Sequence, residues 1–294
     1  MPDKIRILAC DGGGIRGLLT AIWIRRLQSV RPDLLERVRL FAGTSTGGII
    51  ALALAKGLPI ADIIELYTLK GAAIFHRDWR RWFGLTGAKY RNHNLRKRLQ
   101  ACFRDAELQD LRPVLIPSFQ LDNHAVPPER HWKPKFWTNM TPADGPMPVW
   151  QVALYTTAAP TYFPAVDGYV DGGLIANNPS LAALAETLRA GSSLSSVSLL
   201  SLGTGATANW IQDPTYNFGA KDVGTLVNMM LGGNEDAVAF ECKQLLGERA
   251  CRFNPVLPVV NPLRIDDVKR IPEIVALAES TDLQPVVAWL GNYW

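Results

Sequence analysis

A chain of 294 residues that is 48% hydrophobic can bury a full core, and 31 lysines and arginines against 27 acids leave a net charge of +4, too mild to mark a nucleic-acid partner. Four cysteines and four histidines are scattered without the paired spacing of a disulfide framework or a metal site, which argues against a bound metal and for a reducing compartment. The longest apolar run, 49–55, falls far short of the roughly 20 residues of a membrane span, and the first ten residues read as a strand rather than a signal peptide.

The first predicted strand, 5–10, runs into Asp11, three glycines (Gly12, Gly13, Gly14), Arg16 and Gly17, and a helix over 18–29 follows. A second strand at 37–42 leads through Gly43, Ser45 and Gly47 into helices at 47–57 and 60–69. Residues 71–103 turn basic and aromatic, a third strand is predicted at 113–119, and 122–148 is Pro-rich and irregular; the two unusual stretches read as excursions from the core. A short strand then ends at Asp171, followed by Gly172, Gly173 and a helix over 178–190 that Asn178 or Ser180 caps, with a further strand at 197–202. Beyond Gly205 the pattern is helical at 221–247 and 266–280, around an apolar segment at 253–260. Such alternation predicts an α/β fold whose mostly parallel sheet is covered on both faces. No internal boundary is visible, so 1–294 reads as one domain, with the motifs in 5–205 and a helical part, 206–294, packed on the same core.

Gly43, Ser45 and Gly47 form G-x-S-x-G between an apolar strand and an apolar helix, the context of a nucleophile elbow. A serine hydroxyl needs a base, usually a histidine held by a carboxylate. Here the last histidine is His131, and the late position such a triad requires is empty. The alternative is Asp171, which follows a short strand, precedes two glycines and leads into Asn-Asn-Pro. A carboxylate placed thus can face the serine directly.

The opening glycines also satisfy G-x-G-x-x-G through Gly12, Gly14 and Gly17, the fingerprint of dinucleotide binding. Two features oppose that reading: Asp11 would repel a pyrophosphate, and Glu36 lies before the second strand rather than at its end, where a ribose-binding acid belongs. Gly12, Gly13 and Gly14 are instead expected to offer N–H groups to an oxyanion, because only glycine lets backbone approach a reacting carbonyl so closely.

Taken together, D-G-G-G-x-R-G at 11–17, G-T-S-T-G at 43–47, A-A-P-T-Y-F-P at 158–164 and D-G-G-L-I-A-N-N-P at 171–179 resemble the patatin-like phospholipase family. The resemblance is strong over 5–205 and weak beyond. It implies a three-layer α/β/α patatin-like fold and a metal-free, cofactor-free Ser-Asp dyad hydrolase of lipid acyl esters. On it, Ser45 is the nucleophile, Asp171 the base, and Gly12 to Gly14 the oxyanion hole.

Arg16 either orients a phosphate head group or braces its loop, and bracing is the favoured reading. Trp79, Arg80, Arg81 and Trp82, with Trp132, Lys133 and Lys135, interleave indoles and cations as a lipid-water interface favours. The expected partner is a phospholipid or other lipid ester, met in the cytoplasm or at a peripheral membrane contact. Acyl transfer with the same dyad, and a storage or binding role, are the alternatives.

Overall fold

The computed structural model describes residues 4–69, 87–206, 223–258 and 263–294, with side chains from 229 onward in the third stretch. In chain order its elements are β1 (Ile5–Cys10), α1 (Gly17–Val30), β2 (Leu40–Gly43), α2 (Thr46–Ala55), α3 (Ile60–Thr68), α4 (Asn92–Phe103), β3 (Val114–Gln120) and β4 (Lys133–Thr138). There follow α5 (Val149–Thr156), β5 (Tyr169–Asp171), α6 (Gly173–Ala176), α7 (Ser180–Arg189), β6 (Val197–Leu202), α8 (Val223–Leu246), β7 (Ala250–Phe253), α9 (Ile271–Ser280) and α10 (Gln284–Tyr293). Among the described residues no helix is long and apolar enough to cross a membrane.

The strands form one mixed, mostly parallel sheet in the order β4-β3-β2-β1-β6-β7, with β5 pairing β3. Among the described strands only β4 and β5 run antiparallel to their neighbour. β1 and β6 are apolar throughout their centres because helices cover both faces, as a buried parallel sheet requires. Alternation then divides the side chains into two cores. Leu8, Cys10 and Phe41 pack with α1, α2, α3, α4, α5, α9 and α10, while Ile7, Ala9, Leu40 and Leu199 pack with α7 and α8. The three layers are therefore helices, sheet and helices.

Several boundaries depart from the sequence reading for local reasons. The second strand begins at Leu40 rather than 37, because the backbone over 32–37 is in turns, with the Arg37 N–H given to the Asp33 carbonyl at 3.2 Å. The Pro-rich stretch holds β4, which its composition hid; Pro134 is tolerated because β4 lies at the sheet edge, where a missing N–H breaks no second ladder. The basic stretch holds α4, and α7 starts at Ser180, whose N–H donates to Asn178 Oδ1 at 3.1 Å. A last strand, β7, lies at 250–253, at the start of the apolar segment noted at 253–260, and neither it nor α10, with Pro285 in its first turn, has a counterpart in the predicted pattern.

The topology fixes where the chemistry sits. β3 gives one edge to β4 across 115–120, so β2 and β5 share the other edge, β2 beside 114–115 and β5 beside 118–120. Extending the pairing of Ala42 with Leu115 by three residues brings Ser45 level with Ser118, whose partner in β5 is Asp171.

Candidate active site

Ser45 links β2 to α2 at φ 54° and ψ −122°, a conformation that side-chain-bearing residues rarely adopt and that neighbouring structure must enforce. Small neighbours permit it. A Cβ on Gly43 would fall on the Gly47 carbonyl, and one on Gly47 would fall on the Cys10 and Asp11 carbonyls, so the turn closes only with glycine at both positions. Two threonines secure it. Thr156 Oγ1 accepts from the Ser45 N–H at 2.9 Å and donates to the Pro117 carbonyl at 2.6 Å, while Thr44 Oγ1 donates to the Ala176 carbonyl at 2.6 Å.

The half-buried Ser45 Oγ donates to Asp171 Oδ2 at 2.6 Å, and Asp171 Oδ1 accepts from the Gly173 N–H at 2.7 Å. Asp171 is 6% exposed. Burial pushes its carboxyl up to about 6, against the opposing pull of the Ser45 and Gly173 hydrogen bonds. Behind it, Ser118 Oγ accepts from Trp137 Nε1 at 2.8 Å, which fixes the strand that pairs with Asp171. The described histidines, His93, His124 and His131, are exposed on α4 and in the β3–β4 connection, and none bonds Ser45. Among the described residues there is also no acidic, histidine or cysteine cluster fit to hold a metal ion.

The glycine turn passes alongside, with the Ser45 Cβ 3.3 Å from where a Gly12 Cβ would stand. The expectation that Gly12 donates to an oxyanion is corrected by its own bond: its N–H is already given to the Asn177 carbonyl at 3.1 Å. The N–H groups of Gly13 and Gly14 donate to no other described residue, and Gly14 holds φ +58°, which turns the backbone there. Gly17 lies against the Thr46 side chain and Gly172 against the Pro117 carbonyl, both too close for any Cβ. Arg16 reaches backbone, with Nε 3.5 Å from the Gly13 carbonyl and Nη1 3.3 Å from that of Gly205, which is the geometry of a brace.

Of the aromatic and cationic residues expected at a membrane, Trp79, Arg80, Arg81 and Trp82 lie outside the described residues. Trp132 is 69% exposed and Lys133 is exposed beside it. Lys135 does not join them, because its Nζ is bound to both Asp144 oxygens at 2.6 and 2.8 Å and sits over the buried Trp137 ring. A cavity of about 370 Å³ is lined in part by Cys242, Cys251, Arg252 and Trp289, and neither Ser45 nor Asp171 lines it.

Sequence reasoning missed Thr156, Ser118 and Trp137, whose roles depend on strand register. A pair of threonines just before the A-A-P motif was the only available signal for the first.

Residues 8–184 match the family model described as patatin-like phospholipase. A cGAMP-activated phospholipase of Pseudomonas aeruginosa is 32% identical over 291 residues, covering 94% of this chain and 84% of that protein. Protein teg of Priestia megaterium is 25% identical over 334 residues, covering 99% of each. Among solved structures, VipD from Legionella pneumophila aligns with 95% of this chain and 67% of its own at 12% identity, with a TM-score of 0.49.

Proposed function

The chain belongs to the patatin-like phospholipase family, and from that premise we propose that it is a lipid acyl hydrolase of the phospholipase A type, cleaving carboxylic esters of membrane lipids through Ser45 and Asp171. The observation that carries the reading is the 2.6 Å bond from a strained, half-buried serine to a buried carboxylate, with no imidazole among the described residues bonded to either. The phospholipase name borne by a relative sharing 32% identity over most of both chains supports the substrate class.

In this mechanism Asp171 Oδ2 takes the Ser45 proton as Oγ forms a bond to the ester carbonyl carbon. The carbonyl oxygen becomes an oxyanion held by the Gly13 and Gly14 N–H groups, aided by the N-terminal field of α2. Collapse breaks the bond to the alcohol, which leaves with the proton from Asp171, and an acyl-Ser45 ester remains. Water then attacks that ester, gives its proton to Asp171, and the proton returns to Ser45 as the fatty acid departs. A carboxyl at about 6 is a stronger base than one at 3.8 by about 100-fold, and it remains ionised at neutral pH. Esters are favoured over amides, whose leaving group demands a stronger proton donor.

We read 1–294 as one catalytic domain, because β7 extends the sheet beside β6 and α9 packs on α1. The β3–β4 connection continues past the sheet end that carries Ser45 and Asp171, and it exposes Leu121, Val126 and Trp132 beside Lys133. That combination suits a peripheral contact with a lipid surface.

The test is fatty-acid release, followed by mass spectrometry, from phospholipid, galactolipid, lysolipid and triacylglycerol, with and without an added alcohol acceptor. The intact chain releases free fatty acid, and folded Ser45→Ala and Asp171→Asn lose at least about a thousandfold of the rate. Full activity in either folded variant, or transfer to the alcohol in place of water, overturns the reading.

A further inference from the structure

A glycine turn has no side chains with which to pack itself, so any rigidity of Gly13 and Gly14 comes from what grips the residues before them. Two grips are present, and each draws on residues beyond the segment that matches the family model: Arg252 in the first, Thr204 and Glu235 in the second. The first is on Asp11, which is 1% exposed. Arg252 of β7 donates from Nη2 to Asp11 Oδ2 at 2.5 Å and from Nη1 to Ser201 Oγ at 3.0 Å, so a single guanidinium ties the turn to β6. The second is on Gly12. Its N–H is given to the Asn177 carbonyl, and its own carbonyl accepts from Asn177 Nδ2 at 3.4 Å and from Thr204 Oγ1 at 3.1 Å. Asn177 Nδ2 is in turn held by Glu235 Oε1 of α8, whose backbone carbonyl also accepts from Asn178 Nδ2 at 3.3 Å.

The two grips meet, since Glu235 Oε2 lies 3.6 Å from Arg252 Nη2. One ionic cluster therefore touches the glycine turn at positions 11 and 12 and the 171–178 segment at Asn177 and Asn178. These are the two pieces of backbone whose relative placement sets the distance between the glycine N–H groups and the carboxylate bonded to Ser45.

We infer that Arg252 and Glu235 are positioning residues: through Asp11 and Asn177 they hold the oxyanion turn in register with Asp171, an inference that rests on the hydrolase reading above. Lysine cannot replace Arg252, because a single ammonium does not reproduce the planar fork that reaches Asp11 and Ser201 together. Gln can replace much of Glu235, because its Oε1 still accepts from Asn177. Leu cannot.

The experiment takes the full chain with Arg252→Lys, Glu235→Leu and Glu235→Gln and reads two quantities: amide hydrogen exchange by mass spectrometry, and steady-state kinetics on whichever lipid ester the unaltered chain cleaves best. Arg252→Lys and Glu235→Leu are expected to speed exchange at least fivefold in peptides spanning 8–17 and 171–178, with α1 and β6 unchanged. In the same variants kcat falls about tenfold while KM stays within about twofold, the signature of a group felt in the transition state. Glu235→Gln recovers most of both losses.

Unchanged exchange in the two peptides, or equal defects in Glu235→Gln and Glu235→Leu, overturns the inference. Should Arg252→Lys fail to fold, the two Glu235 variants decide it. If the unaltered chain cleaves no ester, the hydrolase reading fails while exchange still reports on the grip; if it cleaves esters and the variants match it, only the grip fails.

Discussion

Replacing Asp171 by Asn removes a charge that the folded protein holds at a disadvantage, and the size of the effect follows from burial. The ordinary carboxyl value of 3.8 rises to about 6 in the fold. A shift of that size corresponds to about 3 kcal/mol. The folded state holds this proton more tightly than the unfolded chain does. Below 3.8 both states are protonated and nothing is lost; from 3.8 to 6 the unfolded chain ionises first and stability falls; above 6 the loss is complete. The asparagine of the Asp171→Asn variant never ionises, and its amide still offers an acceptor to the Gly173 N–H and a donor to Ser45. Any fixed offset between the proteins is shared by every pH, so the informative quantity is how their difference changes. We expect the variant to gain about 2–3 kcal/mol on the unaltered chain between pH 4 and pH 8, or roughly 5 °C in Tm for a domain of this size. Calorimetry or tryptophan fluorescence at unit pH steps measures it. A Tm difference that stays flat from pH 4 to pH 8, or that moves the other way, refutes the argument that Asp171 is desolvated.

Two further outcomes follow from the same geometry. A chain in which His76, His93, His124 and His131 are all replaced by Asn keeps its ester hydrolysis within about threefold, since no imidazole serves as base; a loss of a hundredfold or more contradicts this. Thr156→Val leaves the Ser45 N–H and the Pro117 carbonyl without their hydroxyl partner, which destabilises the fold by about 2 kcal/mol and loosens the elbow. Thermal melts and kcat measured together are expected to fall by about 3 °C and about tenfold, and an unaltered kcat contradicts the role given to Thr156.

What the sequence discloses and what it hides divide along local and long-range lines. The elbow is legible because Gly43, Ser45 and Gly47 are neighbours whose spacing has one steric purpose, and Asp171 is legible because two glycines and an asparagine pair leave little else for that turn to do. β4 is illegible because its prolines and lysines follow edge-strand rules, which depend on knowing that the strand is at an edge. Which glycine N–H groups stay free of a described partner is likewise a long-range matter: three consecutive glycines look equivalent until Asn177, far along the chain, takes the N–H of the first. Lys135 looks like an interfacial residue by type, yet Asp144 draws it inward. Thr156, Glu235 and Arg252 carry no motif at all, and only the packing of α5 on β3, the packing of α8 on α6 and α7, and the register of β7 beside β6 bring them to the site.

The central claim is that Asp171 alone activates Ser45, and the most direct measurement is the rate at which a fluorophosphonate labels the protein across pH 4 to 9, with peptide mapping of the adduct. The account predicts a single adduct on Ser45 whose rate climbs through a midpoint near 6, and in Asp171→Asn a rate at least about a hundredfold lower with that midpoint gone. Labelling elsewhere, or an undiminished rate and midpoint in Asp171→Asn, contradicts it.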